Sequence, residues 1–275
     1  MSQLVPVKDA VKNMQSWISH PDTLKQLEMA LPRLGITPER MARIAMTEVR
    51  RNPKLALCTV ESMLGAVMAC AQYGLEPGVA GLAYIIPYGK EATFQLGYRG
   101  IVDLLYRSDQ VRDIRCFCVF KGDDFEIDLT ADVPITHTPN FQSEDDRDVA
   151  GAYCLIRTTH GGVVPEYWPR EKIEKHRAKF VKNTKRDGPW ITDWQSMARK
   201  TLCIAASKYA PMSAECRGAI ALDELAERGA KQHIAPEITI EKTGEDEPPV
   251  EVDPETGEVV PSQEEIDAQR GEDAT

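Results

Sequence analysis

Apolar residues recur at Val60, Met63, Leu64, Val67, Met68 and Ala71. This i, i+3, i+4, i+7 spacing marks one buried helical face, and Gly74 closes the helix. Past a turn at Glu76, Pro77 and Gly78 the pattern becomes extended: two short apolar runs, 82–87 and 93–98, flank a glycine-containing loop at 88–91 and predict a hairpin. A second helix begins within LGYRG and sets Arg99, Asp103 and Arg107 on one line, four residues apart. Gly97 and Gly100 fall where strand meets helix. Without a Cβ, and beside the unpaired N–H groups of a helix start, the backbone there is predicted to approach a phosphate closely.

Upstream, Pro21 and Asp22 open a short helix to about residue 31. Thr37 as N-cap and Pro38 at the first helical position precede MARIAMTEVRR, whose Met41, Ile44, Ala45 and Val49 share a face; Asn52 and Pro53 stop it. Downstream, extended segments are predicted at 111–120, 125–129, 150–158 and 163–168, with Gly161 and Gly162 turning between the last two. Residues 130–149 hold Pro134, Pro139, Asn140 and the run EDDRD, and predict a surface loop. Pro169 begins a basic helix, REKIEKHRAKF. After VKNTKRDGPWIT, Asp193 caps another helix, with Trp194, Met197, Ala198, Leu202, Ala205 and Tyr209 along a core-facing stripe. Lys200 and Lys208 fall off that stripe, roughly 12 Å apart along the axis. A last helix covers 214–228. Strands cluster in the middle of the chain, which predicts an α+β fold: N-terminal helices, a central largely antiparallel sheet with packed helices, and a tail.

With 275 residues and 42% hydrophobic content the chain can bury one good core and leave a tail. The net charge of −10 argues against a polyanionic partner until its placement is considered: 14 of the 43 acidic residues, but only 3 of the 33 basic ones, lie in residues 230–275. Residues 1–229 are therefore near neutral, with 30 basic and 29 acidic residues. The expected division is a core over 1–229, containing a helical lobe at 1–74, and an acidic disordered tail at 230–275. Within the core, residues 170–186 carry eight Lys or Arg against Glu171 and Glu174, a footprint for nucleic acid or a solvated helix face. Seven scattered cysteines without a CxxC pair read as reduced, mostly buried thiols. No apolar run approaches a membrane span and the N-terminus has no signal-peptide layout, so a cytoplasmic protein is expected.

The chemistry narrows by elimination. There is no GxxxxGK[ST] cradle for a nucleotide, and His20, His137, His160, His176 and His233 lie far apart with no cysteine pair at zinc spacing. Asp124, Glu126 and Asp128 alternate on one strand face and keep open a metal-dependent nuclease, although a solvated edge is the plainer reading. What remains is a surface of cations, glycines and aromatics of the kind that holds single-stranded nucleic acid through phosphate contacts and base stacking. Tyr98, Tyr106, Trp190 and Tyr209 lie near Arg99, Arg107, Arg199, Lys200 and Lys208 in sequence. Tyr106 and Tyr209 read as core, while Tyr98 and Trp190 stay open between core and stacking platform. A structural assembly protein that polymerises without nucleic acid is a further alternative.

Several linked motifs resemble one family. They are YGLEPG, LAYIIPYG, LGYRGIVDLLYRS, DDFE, HTPNF, REKIEKHR, GPWITDWQSMARKT and KYAP. Together, from about residue 20 to residue 228, they are similar to the RecT family of phage and prophage single-strand annealing recombinases. The resemblance implies a non-enzymatic protein that binds single-stranded DNA without ATP or other cofactor, pairs complementary strands through an annealed duplex intermediate, and assembles as a homo-oligomer into rings or filaments. It also implies work beside a 5′ to 3′ exonuclease and the host's single-strand-binding protein. Carried onto matching positions, the DNA groove would use Tyr98, Arg99, Arg107, Arg199, Lys200 and Lys208. Relatives usually carry two arginines between the threonine and the KY motif, whereas LCIAAS places Ile204 and Ala205 here; Lys182, Lys185 and Arg186 are the compensating candidates, and Trp190 is a stacking candidate for the same groove. Subunit contacts are assigned to the N-terminal helices and the methionine-rich helix after Thr59.

Overall fold

The computed structural model describes residues 7–32, 35–142, 145–180, 189–232, 234, 251–252 and 259–260. Its chain divides into two compact units: residues 1–74, 85–93 and 233–275 form the first, and 75–84 with 94–232 the second.

The first unit is helical. Helices α1 (Val7–Ile18), α2 (Pro21–Ala30), α3 (Pro38–Arg51) and α4 (Val60–Gln72) are joined by a 3-10 turn at Pro53–Leu57. The predicted caps form: Thr37 Oγ1 accepts from the Arg40 N–H at 3.2 Å and Thr59 Oγ1 from the Ser62 N–H at 3.3 Å. Such a cap stabilises a helix by about 1 kcal/mol. Helix α4 is buried on every side from Met63 through Ala71, not along one stripe, because α1, α2 and α3 all pack against it. A helix apolar all round belongs in a core. Met63 and Met68 are thus interior residues, which corrects their assignment to subunit contacts. The hairpin of β1 (Ala83–Tyr88) and β2 (Glu91–Leu96) gives its tip to this unit, where the Thr59 N–H donates to the Lys90 carbonyl and the Ala92 N–H to Ser62 Oγ, each at 2.9 Å.

In the second unit, helix α5 (Tyr98–Tyr106) leads into a three-stranded antiparallel sheet of β3 (Val111–Phe120), β6 (Val149–Thr158) and β7 (Val163–Pro169), with β6 in the centre. Helices α6 (Arg170–Phe180), α7 (Pro189–Thr192), α8 (Trp194–Ser207) and α9 (Ala214–Glu227) follow. Helix α8 lies across all three strands, capped by Asp193, whose Oδ1 accepts from the Ser196 N–H. The sheet is buried on both faces at β6, so its sequence AGAYCLI carries no polar alternation. Cys116 and Cys154 stand opposite each other and meet Cys203 of α8; all seven cysteines are buried thiols without a disulfide, as expected.

The α+β class and the antiparallel sheet agree with the sequence. The segment expected to be a loop holds one further strand: β4 (Asp124–Ile127) pairs with β5 (Ile135–Thr138) and covers the opposite sheet face, packing Phe125 and Ile127 against Val119, Ile135, Tyr153 and Leu155. Asp123 ties this flap down. Its carboxylate accepts from the N–H groups of Phe120 (2.8 Å) and Asn140 (3.0 Å) and lies 3.0 Å from His137 Nε2, whose Nδ1 is 3.3 Å from the Tyr153 hydroxyl. In the acidic tail, β8 (Glu251–Val252) pairs with β9 (Val259–Val260), a short ladder where disorder was expected; the rest of the tail lies outside the described residues.

Candidate nucleic-acid interface

The glycines of LGYRG serve the chain itself. A Cβ on Gly97 would stand 1.9 Å from the Gly81 carbonyl oxygen, and one on Gly100 would stand 2.1 Å from that of Leu82. The Gly97 N–H donates to the Leu82 carbonyl at 2.9 Å. The close approach predicted for a phosphate is therefore occupied by residues 81–82, so helix α5 begins against protein backbone and not against an open cradle. Arg99 is exposed and reaches the Ala80 carbonyl at 3.4 Å. Arg107 pairs with Asp103, four residues before it on the line that the sequence predicts. Tyr98 is half-buried; burial raises the pKa of its hydroxyl, and the Arg199 guanidinium lies near enough to oppose that shift.

Helix α8 separates the remaining candidates. Lys200 is only 8% exposed, and its Nζ sits 2.7 Å and 3.0 Å from the two oxygens of Asp223, which is fully buried on α9 and also accepts from the Leu96 N–H. This lysine lies in the interior, contrary to its expected place on an open face. Arg199 is held along its own helix by the Gln195 carbonyl and Ser196 Oγ, each at 3.3 Å. Trp190, 7% exposed, packs between His176 and Trp194 as core. Tyr209 is 78% exposed, because α8 ends at Ser207 and the apolar stripe does not extend past it; Tyr106 is also exposed, its hydroxyl accepting from the Ile114 N–H. Lys182, Lys185 and Arg186 lie outside the described residues.

Lys208 stands at a feature the sequence did not reveal: a cleft of about 420 Å³ between the end of β7, α6, α8 and α9. One wall carries Lys172, whose Nζ lies 4.1 Å above the centre of the Trp168 ring; the other carries Lys208, Tyr209 and Arg228. Every cation here has a carboxylate beside it. Lys172 lies 3.6 Å from Glu166, Lys208 lies 2.8 Å from one oxygen of Glu224, and Arg228 lies 3.9 Å from the other. Burial pushes Glu227 up to about 7, with Lys200 and Lys208 pulling it down and Asp223 and Glu224 raising it further. His176 is shifted below the ordinary imidazole range by burial, then by Lys179 and Lys208. Ile204 and Ala205, which stand where arginines were expected, line this cleft and supply its apolar floor. The signal for the missed residues was local: Trp168 and Lys172 four apart across a strand–helix junction, and Glu224 of α9 four residues before Arg228, the residue that caps its end.

The acidic strand face does not converge. Asp124 and Glu126 project from β4 into solvent, and the Asp128 carboxylate accepts from the Thr130 N–H and hydroxyl instead. No group of three or more His, Cys, Asp or Glu with ligand geometry occurs among the described residues, and no helix among them is long and apolar enough to cross a membrane.

An antiparallel sheet backed by helices, with a cleft that sets an exposed tyrosine and a tryptophan among lysines, an arginine and their partner carboxylates, defines an α+β protein. Comparison with known proteins gives its family. The RecT family model matches residues 39–239. Protein RecT of Escherichia coli K12 is 38% identical over 226 residues, covering 78% of this chain and 82% of the relative. The uncharacterized protein YqaK of Bacillus subtilis 168 is 30% identical over 228 residues, covering 82% and 77%. The chain belongs to the RecT family and is a recombination protein of the phage type.

Proposed function

We propose that the protein binds single-stranded DNA in the cleft of its second unit and anneals complementary strands without ATP, as a homo-oligomer. The observation that carries this reading is the exposed Tyr209 ring beside Lys208 in a cleft also lined by Trp168, with Lys172 above the Trp168 ring. Stacking on an aromatic ring contributes roughly 1–3 kcal/mol per base and tolerates any base, while lysines meet the phosphates. A protein that anneals must hold the backbone and leave base edges open to the second strand; two rings set among cations can do so without reading sequence.

Cleft size supports assembly. At about 420 Å³ it falls near the small end of the ~300–1,000 Å³ range of ligand pockets, room for only a base or two. A continuous track then needs subunits in a row, joined head to tail. The helical lobe at 1–74 is the proposed contact region, through surface residues such as Met29, which is 73% exposed, and not through the interior methionines of α4. We place this activity in the bacterial cytoplasm, beside an exonuclease that exposes the strand and the host's single-strand-binding protein. The test adds two complementary oligonucleotides in sequence without ATP and follows duplex formation. Acceleration over the spontaneous rate is expected. Magnesium-dependent shortening of the strands, or polymers that form equally without DNA and give no acceleration, would overturn the reading.

A further inference from the structure

The two cations on the α8–α9 side of the cleft share one carboxylate. Glu224 Oε1 meets Lys208 Nζ at 2.8 Å and Glu224 Oε2 faces Arg228 Nη2 at 3.9 Å, so a two-oxygen anion bridges them. The side chain of Glu224 keeps about a third of its surface open to solvent, and Tyr209 stands next to the pair in the cleft lining. A phosphodiester also offers two oxygens to two cations, with the same charge as a carboxylate. Both cannot occupy this place.

Resting on the proposed binding of single-stranded DNA at this cleft, we propose that Glu224 is a built-in competitor: it occupies the phosphate position between Lys208 and Arg228 and must swing out when the strand enters. The Lys208–Glu224 contact is half-exposed, so breaking it costs little, which is what a displaceable group requires. The consequence is selectivity for a polymer. A lone phosphate exchanges one anion for another with no net gain in charge contacts. A strand that also stacks a base on Tyr209 and meets Lys172 gains what the competitor cannot supply. Lys200 shows the contrast: its partner Asp223 is fully buried and tied to the Leu96 N–H, so that pair is fixed and Lys208–Glu224 is the exchangeable one.

The test compares Glu224→Gln, Lys208→Ala and the double variant with the unaltered full-length protein, using a labelled oligothymidylate and, separately, inorganic phosphate as a competitor. Glutamine keeps the shape and removes the charge. Glu224→Gln is expected to tighten oligothymidylate binding about two- to fivefold and to steepen its salt slope by about 0.7, since the released glutamate no longer takes up a cation. Phosphate should compete more effectively against this variant than against the unaltered protein. In the double variant the tightening should largely vanish. If Lys208→Ala weakens binding while Glu224→Gln leaves affinity and slope unchanged, the competitor role is wrong and the binding site stands. If Lys208→Ala leaves binding untouched, the cleft reading itself fails. Equal melting temperatures of the three variants verify that folding is not the cause, and a Glu224→Gln protein that melts early is replaced by Arg228→Gln, which frees one Glu224 oxygen and should weaken binding if Arg228 meets the strand.

Discussion

Replacing Lys200 by alanine separates a structural cation from a DNA-contacting one. Lys200 is 8% exposed and Asp223 is fully buried, with Nζ 2.7 Å from one carboxylate oxygen. Removing the ammonium leaves a buried carboxylate whose remaining partner is the Leu96 N–H. Breaking a buried pair from one side costs about 3–5 kcal/mol, most of it the penalty of an uncompensated charge. For a domain of this size each kcal/mol lowers Tm by roughly 2–4 °C, so Lys200→Ala should melt roughly 6–20 °C below the unaltered protein. Lys200→Met with Asp223→Asn should recover most of that loss, because no bare charge remains and asparagine still accepts from Leu96. The assay is thermal unfolding followed by circular dichroism, with oligothymidylate binding measured well below the transition. A Lys200→Ala protein with unchanged Tm and weakened DNA binding would refute the interior role and return Lys200 to the surface.

Other consequences are equally accessible. Gly97→Ala should abolish soluble folding, since its Cβ meets backbone at 1.9 Å, whereas Gly89→Ala, with φ of +60° and open space around it, should cost only about 1 kcal/mol; comparing soluble yield and Tm decides. Glu227, pushed up to about 7 by burial, favours its protonated form in the folded chain, so its contribution to stability is present below the ordinary carboxylate range and is lost as pH rises through about 7. The same protonation removes a negative charge from the cleft. Oligothymidylate affinity should therefore rise as pH falls from 8 to 6, and Glu227→Gln should flatten that rise. His176, whose pKa burial and the nearby Lys179 and Lys208 lower, moves its own charging toward the acid end of this window. Asp123→Ala removes the acceptor for two backbone N–H groups and for His137, and should cost at least about 3 kcal/mol. Hydrogen exchange should locate that loss in β4 and β5.

Local signals carried most of the fold. Thr37, Thr59, Asp193 and Ser213 each cap the helix that follows them, and β3, β6 and β7 begin and end within a residue or two of their apolar runs. Strand β5 escaped notice because Pro134 precedes it and three of its four residues are threonine or histidine; it exists through pairing with β4 and through the Asp123 hydrogen bonds, both long-range. Lys200 misled for a related reason. Its sequence neighbours place it off the apolar stripe of α8, but its surroundings are set by α9, where Asp223 makes an interior position habitable for a charge. Gly97 and Gly100 were rightly marked as sites of close approach, and the approaching group is residues 81–82. The cleft draws on β7, α6, α8 and α9, so no single stretch of sequence displays it, although Lys208 and its neighbour Tyr209 were both in view.

The central claim, that phosphates of a single strand lie against Lys172 and Lys208, is tested most directly by the salt dependence of oligothymidylate binding to the Lys172→Ala, Lys208→Ala double variant. Affinity should fall, and in a Glu224→Gln background, where no displaced glutamate takes up a cation, the slope of log affinity against log salt should become shallower by about 0.7 for the phosphate deprived of Lys208, with the melting temperature unchanged. A folded double variant that binds with the affinity and slope of the unaltered protein would mean that the strand runs elsewhere.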